Sequence, residues 1–234
     1  KIEEYYSQCE EDGASEEQIR KSKSAMASMS VILGEPDRLR RVARDIVNDY
    51  EQRLQDEPEL LQKAMITCAD RFIAYQLLQM ILELRPEWGV SQKSLDESSL
   101  TEEQIEHLHN VPYINMVATR GANDPADMYE YLGTNERRDF LDKEYKSNDS
   151  NFHIAIVVDM WITGFDCPSL RYLYNDKPLS KHTLIQTISR VNRKYKTKEY
   201  GMVIDYIGIR TNMMKAMKVY GGVDTIGEGD MEVA

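Results

Sequence analysis

Two short segments carry the residue types that handle phosphate. The first is Gln186-Thr-Ile-Ser-Arg190-Val-Asn-Arg193. A helix turns about 100° per residue. On a helix predicted over 181–193, Leu184, Ile185, Ile188 and Val191 therefore share one face, and Gln186, Arg190 and Arg193 share the opposite side. Such a helix packs into a sheet while offering an amide and two guanidiniums to a single target. Guanidinium forks match phosphate oxygens in charge and geometry. Two of them together point to a polyphosphate, or to a transferring phosphoryl group whose charge needs stabilising. The competing use of the same residues is structural: two surface arginines paired with nearby carboxylates.

The second segment runs Asp159-Met-Trp-Ile-Thr163-Gly164-Phe-Asp166-Cys-Pro168 and follows the apolar stretch 153–158. Consecutive apolar residues are expected of a strand buried on both faces of a parallel sheet. In open α/β sheets, ligands sit at the carboxyl ends of the strands. Gly164 permits a turn and a close backbone approach, and Thr163 offers a hydroxyl or an amide to a phosphate. Asp166 is an acceptor suited to a ribose hydroxyl or an arginine. The plainer alternative is a strand-to-loop turn in which Asp166 caps the backbone.

The elements that must position these segments follow from periodicity. Leu39, Val42, Ala43, Ile46, Val47, Tyr50 and Leu54 recur at helical spacing after Pro36. From residue 63 strands alternate with helices: strands at 64–68, 113–119, 153–158, 172–174 and 201–205, and helices through 73–82, 135–146, 181–193 and 210–220. A Gly/Asn/Asp/Pro turn lies at 121–125, and 89–110 reads as a polar loop. The alternation implies a parallel sheet with helices on both faces, an α/β fold preceded by a helical extension. The expected organisation is an extension over 1–60, the main domain over 61–210, and a C-terminal helix with a disordered tail over 211–234.

The net charge of −11 disfavours a polyanion at first sight. Local charge overrides it: 171–198 holds eight Lys/Arg and one acid, Asp176, while the acidic excess lies elsewhere. A merely solvated basic face is the competing reading. Three distant cysteines, Cys9, Cys68 and Cys167, argue for a reducing compartment rather than a disulfide framework. No apolar run approaches a membrane span of about 18 residues. The chain opens on Lys1 without an initiator Met and reads as an excerpt of something longer. His107 and His109 lack a third ligand and do not make a metal site.

The segment 159–168 resembles motif V of superfamily 2 helicases, and Gln186-x-x-Ser189-Arg190-x-x-Arg193 resembles motif VI. The run from Asp159 through Arg193, the intervening Tyr174-Asn-Asp-Lys-Pro-Leu179, and Tyr200-Gly-Met-Val-Ile-Asp-Tyr-Ile-Gly208 are similar to the motor (R) subunit of type I restriction endonucleases. Lys63–Arg71 and Leu84–Trp88 resemble that family's motif IV region. The resemblance implies a second RecA-like helicase domain that supplies an arginine finger and DNA-backbone contacts for ATP-dependent translocation before cleavage. It implies that Arg193 and Arg190 reach the ATP γ-phosphate, with Arg193 as the finger. Gln186, Asp166 and Gly164 would face the nucleotide. Thr163, Gly164, Thr119, Arg120 and Arg71 would face the backbone of double-stranded DNA. Two departures stand out: Ser189 where many such motors have Gly, and Asp70 where the family often has Ser, a poor neighbour for phosphate beside Arg71.

The same resemblance implies ATP and Mg²⁺ bound mainly by a first RecA-like domain, a nuclease domain in the same chain, modification and specificity subunits as partners, and a prokaryotic cytoplasmic location. The sequence contains no G-x-x-x-x-G-K-[ST] loop and no Asp-Glu magnesium box, so this stretch alone is expected to hydrolyse no ATP and cut no DNA. Two other classes compete: a non-catalytic nucleic-acid-binding or assembly module of the same fold, and an unrelated dinucleotide-binding enzyme, which the missing glycine fingerprint disfavours.

Overall fold

The computed structural model describes residues 29–58, 61–94, 101–161, 164–179, 181–196 and 198–208. The expectations for 1–28, for Thr163 and for the 210–220 helix and tail lie outside them.

A 21-residue helix, α1 (Pro36–Asp56), leads. Glu35 caps it by accepting from the amides of Asp37 (3.0 Å) and Arg38 (2.6 Å), and Pro36 supplies the preset φ of a first turn. Five strands follow: β1 (Lys63–Cys68), β2 (Ile114–Val117), β3 (Ile154–Val157), β4 (Leu170–Asp176) and β5 (Met202–Asp205). Between them lie α2 (Arg71–Leu84), α3 (Glu102–His107), α4 (Ala126–Leu132), α5 (Asn135–Lys146) and α6 (Lys181–Val191). Pro86 closes α2 and opens a 3₁₀ turn, Pro86–Gly89. The sheet is wholly parallel in the order β2-β3-β1-β4-β5, so the first strand ends up central. All residues of β1 to β4 are buried, as a sheet covered on both sides demands.

Strand periodicity divides the core in two. Ala64, Ile66, Met116, Ile154, Ile156, Tyr172, Tyr174 and Ile204 pack with α1 and α2. Met65, Val117, Ala155, Val157 and Leu173 pack with α5, the 158–169 loop and Val191 of α6. Both segments singled out for phosphate chemistry thus cover one face.

The first face is tied at the end of β4 by a bidentate pair. Arg38 Nη1 donates to Asp176 Oδ2 at 3.0 Å and Nη2 to Oδ1, with Asp176 fully buried. At its heart the Tyr50 hydroxyl donates to the Gln62 carbonyl (2.8 Å) and meets the Tyr113 hydroxyl at 3.0 Å.

Three local expectations need correction. Helix α6 ends at Val191, not at 193, and the Arg193 amide reaches back to the Val191 carbonyl at 2.9 Å. Helix α3 falls within 89–110, which reads as a polar loop, and α4 has no counterpart in the sequence reading, because such short runs offer too few turns for a periodic signal.

Candidate functional site

Among the described residues, the connection from β3 to β4 carries no helix. It leaves the carboxyl end of β3, runs down the sheet face and enters β4 at Leu170, which pairs with Lys63 at the start of β1. Asp166 therefore lies just before β4, near the amino ends of the strands. The expectation that this whole segment clusters at the carboxyl ends holds for Asp159 and fails for Asp166. A parallel crossover has to return to the far edge, and here the loop itself makes the journey.

Aromatic side chains pin this loop. Trp161 stacks on Phe165 (4.3 Å between centroids, 11° between planes) and on Tyr145 of α5 (5.2 Å, 24°). Trp161 adopts a φ of +65°, a region costly for a bulky L-residue, so burial of its ring must hold the backbone there. Gly164 has a φ of +74° with open space where a Cβ would point. That is the turn geometry expected of it.

Arg193 is brought to this loop. Its Nη1 donates to Asp166 Oδ1, with the two side chains 38 % and 64 % exposed. Residues 27 apart in sequence thus meet in a solvent-facing charged pair. The carboxylate, rather than the helical wheel, orients Arg193, since the residue stands beyond the helix. Arg190 lies in the last turn of α6, partly buried, and its Nε is buried without a hydrogen-bond partner among the described residues. Gln186 is partly buried one turn earlier. Buried Thr187 and Val191 turn α6 toward the sheet, and Thr187 Oγ1 returns to the Thr183 carbonyl (2.7 Å). Of the two guanidiniums, that of Arg193 faces solvent on a single carboxylate, as a phosphate-facing donor would. Among the described residues no group of His, Cys, Asp and Glu could hold a metal ion.

The residues proposed for DNA sit at the other end of the sheet and divide. Thr119 is exposed and Arg120 lies over the Tyr129 ring at 4.3 Å. Both line a cavity of about 440 Å³ with Gly133, Thr134, Asn135, Glu136 and Arg138 at the start of α5. Arg71 instead turns inward. It donates to the Thr119 carbonyl (2.7 Å) and pairs with the buried carboxylate of Asp124 (2.8 Å). A Cβ at Gly121 would meet its Nη2 at 2.2 Å. Asp70, suspect as a neighbour of phosphate, caps α2 by accepting from the Ile73 amide (2.9 Å). Thr163 lies outside the described residues.

The basic run 171–198 is not one solvated surface. Arg171 is buried against Glu57 (2.5 Å), Lys177 donates to the Val158 carbonyl (2.9 Å) and to Asp159, Arg193 holds Asp166, and buried Lys198 donates to the carbonyls of Pro168 (3.0 Å) and Leu170. Sequence reasoning missed Lys177, Lys198 and Trp161 as organisers, and also buried Lys63. The Lys63 ammonium serves the carbonyls of Tyr145 (2.6 Å), Ser147 (2.6 Å) and Phe152 (3.0 Å), and burial lowers its pKa to about 8. None of these four leaves a spacing pattern in the sequence.

A parallel sheet with β1 central, helices on both faces and phosphate-type side chains meeting across one of them defines a RecA-like α/β domain. In keeping with that class, the fold superimposes on a variant of S. cerevisiae Dbp5 solved with RNA and ADP BeF3, with a TM-score of 0.50 and 13 % identity over 86 % of this chain and 39 % of that one. The chain belongs to the family of type I restriction enzyme subunit R domain 3, whose model matches residues 79–208. It is 33 % identical over 199 residues to the putative type I restriction enzyme MjaIXP endonuclease subunit of Methanocaldococcus jannaschii, covering 85 % of this chain and 16 % of that protein. To the HindI endonuclease subunit of Haemophilus influenzae it is 29 % identical over 203 residues, 86 % of this chain and 17 % of that protein. The chain thus spans 16–17 % of the length of these relatives.

Proposed function

We propose that this domain is the second motor lobe of an R subunit that translocates double-stranded DNA at the expense of ATP before cleavage. In this reading Arg193, with Arg190 beside it, is presented to the γ-phosphate of a nucleotide held by a first RecA-like domain in the parent protein. Bound there with Mg²⁺, the nucleotide supplies the chemistry. This chain supplies cationic stabilisation of the charge that develops on the phosphoryl group. Asp166 holds Arg193 ready and couples it to the loop. Gln186 orients the nucleotide or the arginines, and Gly164 gives close backbone approach. Thr119 and Arg120, together with Thr163, contact the DNA backbone without reading sequence. Arg71 acts one step back, by fastening the 119–124 turn. The nuclease domain and the modification and specificity subunits complete the enzyme, and this stretch alone turns over neither ATP nor DNA.

The observation that carries the reading is the Arg193–Asp166 contact, which joins the two segments at solvent. In the intact R subunit, Arg193→Ala should lower ATP turnover by on the order of 10³-fold while leaving ATP binding intact. Unchanged turnover in that variant rejects the role.

A further inference from the structure

The segment that carries Arg193 past the end of α6 is short, and its shape is set by residues that sequence motifs leave aside. Beyond Arg193 the backbone closes on itself: the Tyr195 amide donates to the Lys198 carbonyl (3.0 Å) and the Lys198 amide to the Tyr195 carbonyl (2.9 Å). Lys196 between them takes a φ of +50°. The turn is fastened from outside by Asn148, whose Nδ2 donates to the Tyr195 hydroxyl at 2.7 Å. From inside it is fastened by the Lys198 ammonium on the carbonyls of Pro168 (3.0 Å) and Leu170 (2.5 Å). Lys198 is 3 % exposed. Asp166 stands two residues before Pro168. The same lysine therefore grips the loop that bears the carboxylate and closes the turn that follows the guanidinium by two residues.

Resting on the functional reading above, we propose that the paired backbones of Tyr195 and Lys198, locked by the Lys198 ammonium, are the positioning element for Arg193. Lys198 does not touch nucleotide or DNA in this assignment. It fixes the relative place of the two backbones between which the Arg193–Asp166 pair spans. An ammonium suits the task because two converging carbonyls need two donors, which no apolar side chain supplies. Without them the carbonyls are left unmet and the loop and the turn are free to part. A misplacement of about 1 Å in a group that must meet a transition state costs on the order of 10²-fold in rate.

The test is a double-mutant cycle in the full-length R subunit assembled with its partner subunits and DNA. ATPase kcat, KM for ATP and melting temperature are measured for Lys198→Met, Arg193→Ala and the pair. The proposal expects Lys198→Met to lower kcat by on the order of 10²-fold with KM unchanged, and to add nothing in the Arg193→Ala background. If Lys198→Met does not fold, Tyr195→Phe, which keeps the ring and removes only the outer contact with Asn148, serves instead. It should lower kcat severalfold, again only when Arg193 is present. Wild-type kcat in a folded Lys198→Met or Tyr195→Phe protein overturns the proposal, as does a loss that multiplies fully with that of Arg193→Ala. If Arg193→Ala itself turns over normally, the functional reading falls and this assignment with it. If Arg193→Ala is inactive while Lys198→Met turns over normally, the positioning role alone falls.

Discussion

On the face covered by α1 and α2, buried side chains recur every three or four residues, and the tyrosine hydroxyls of the core find partners within it. On the opposite face the same sheet is covered by α5, the end of α6 and a loop with no periodicity. That loop is held by stacked rings and by lysines donating to single carbonyls. The first arrangement stabilises through area removed from water and tolerates small shifts. The second depends on individual contacts, and a change at one of them is delivered directly to the charged pair. The Arg193–Asp166 pair lies on the side whose geometry is held contact by contact.

The two tryptophans of the chain fall one on each face, Trp88 on the first and Trp161 on the second, so fluorescence reports the faces separately. The largest expected effect is on the first face. Ile46→Ala removes a fully buried side chain and should cost about 2–5 kcal/mol, with the urea transitions at Trp88 and Trp161 moving together because one sheet joins both. Separate transitions would show that the faces unfold independently.

Gly201→Ala sharpens the contrast. A Cβ there would meet the Val191 carbonyl oxygen at 2.2 Å, which backbone cannot evade cheaply. A cost of about 1–3 kcal/mol is expected, with the Trp161 transition moving to lower urea together with that of Trp88. An unaltered Trp161 transition would break the link between α6 and the loop. Tyr50→Phe, which deletes the hydroxyl between Gln62 and Tyr113, should cost about 1 kcal/mol, read from the same urea midpoint. It should leave ATP turnover in the intact subunit unchanged.

A further expected effect is a pH dependence. Burial, helped by the neighbouring Lys63 ammonium, lowers the His153 pKa from 6.5 to about 4. Between those values the unfolded chain binds the proton and the folded one does not. Stability is therefore full above pH 6.5 and falls as pH drops toward 4. His153→Phe, which keeps a ring against Tyr113, should show a shallower loss of urea stability between pH 7 and pH 5. Equal slopes in the two proteins would remove His153 as a source of acid lability.

What was legible in the sequence follows the same division. The apolar spacing of Leu39 to Tyr50 and the continuous runs at β1 and β3 located those elements, because packing against a sheet forces a period. The parallel architecture and the meeting of the two motif-like segments were readable from residue types in order. The path of the 158–169 loop across the face was not. Nor was the inward turn of Arg71 onto Asp124, or the early end of α6 that takes Arg193 off the helical wheel. Each depends on one partner far away in the chain, and a single long-range contact imprints no period.

The internal engagement of Arg171, Lys177 and Lys198 has a consequence for any polyanion this domain meets. Each phosphate neutralised by a free cation releases condensed counterions, and the logarithm of affinity then falls with the logarithm of salt by about 0.9 per contact on duplex DNA. Cations already satisfied by carboxylates and carbonyls displace no such ions. The salt slope of DNA binding should therefore be gentler than the eight basic residues of 171–198 imply, and titration against salt would count the cations that remain available.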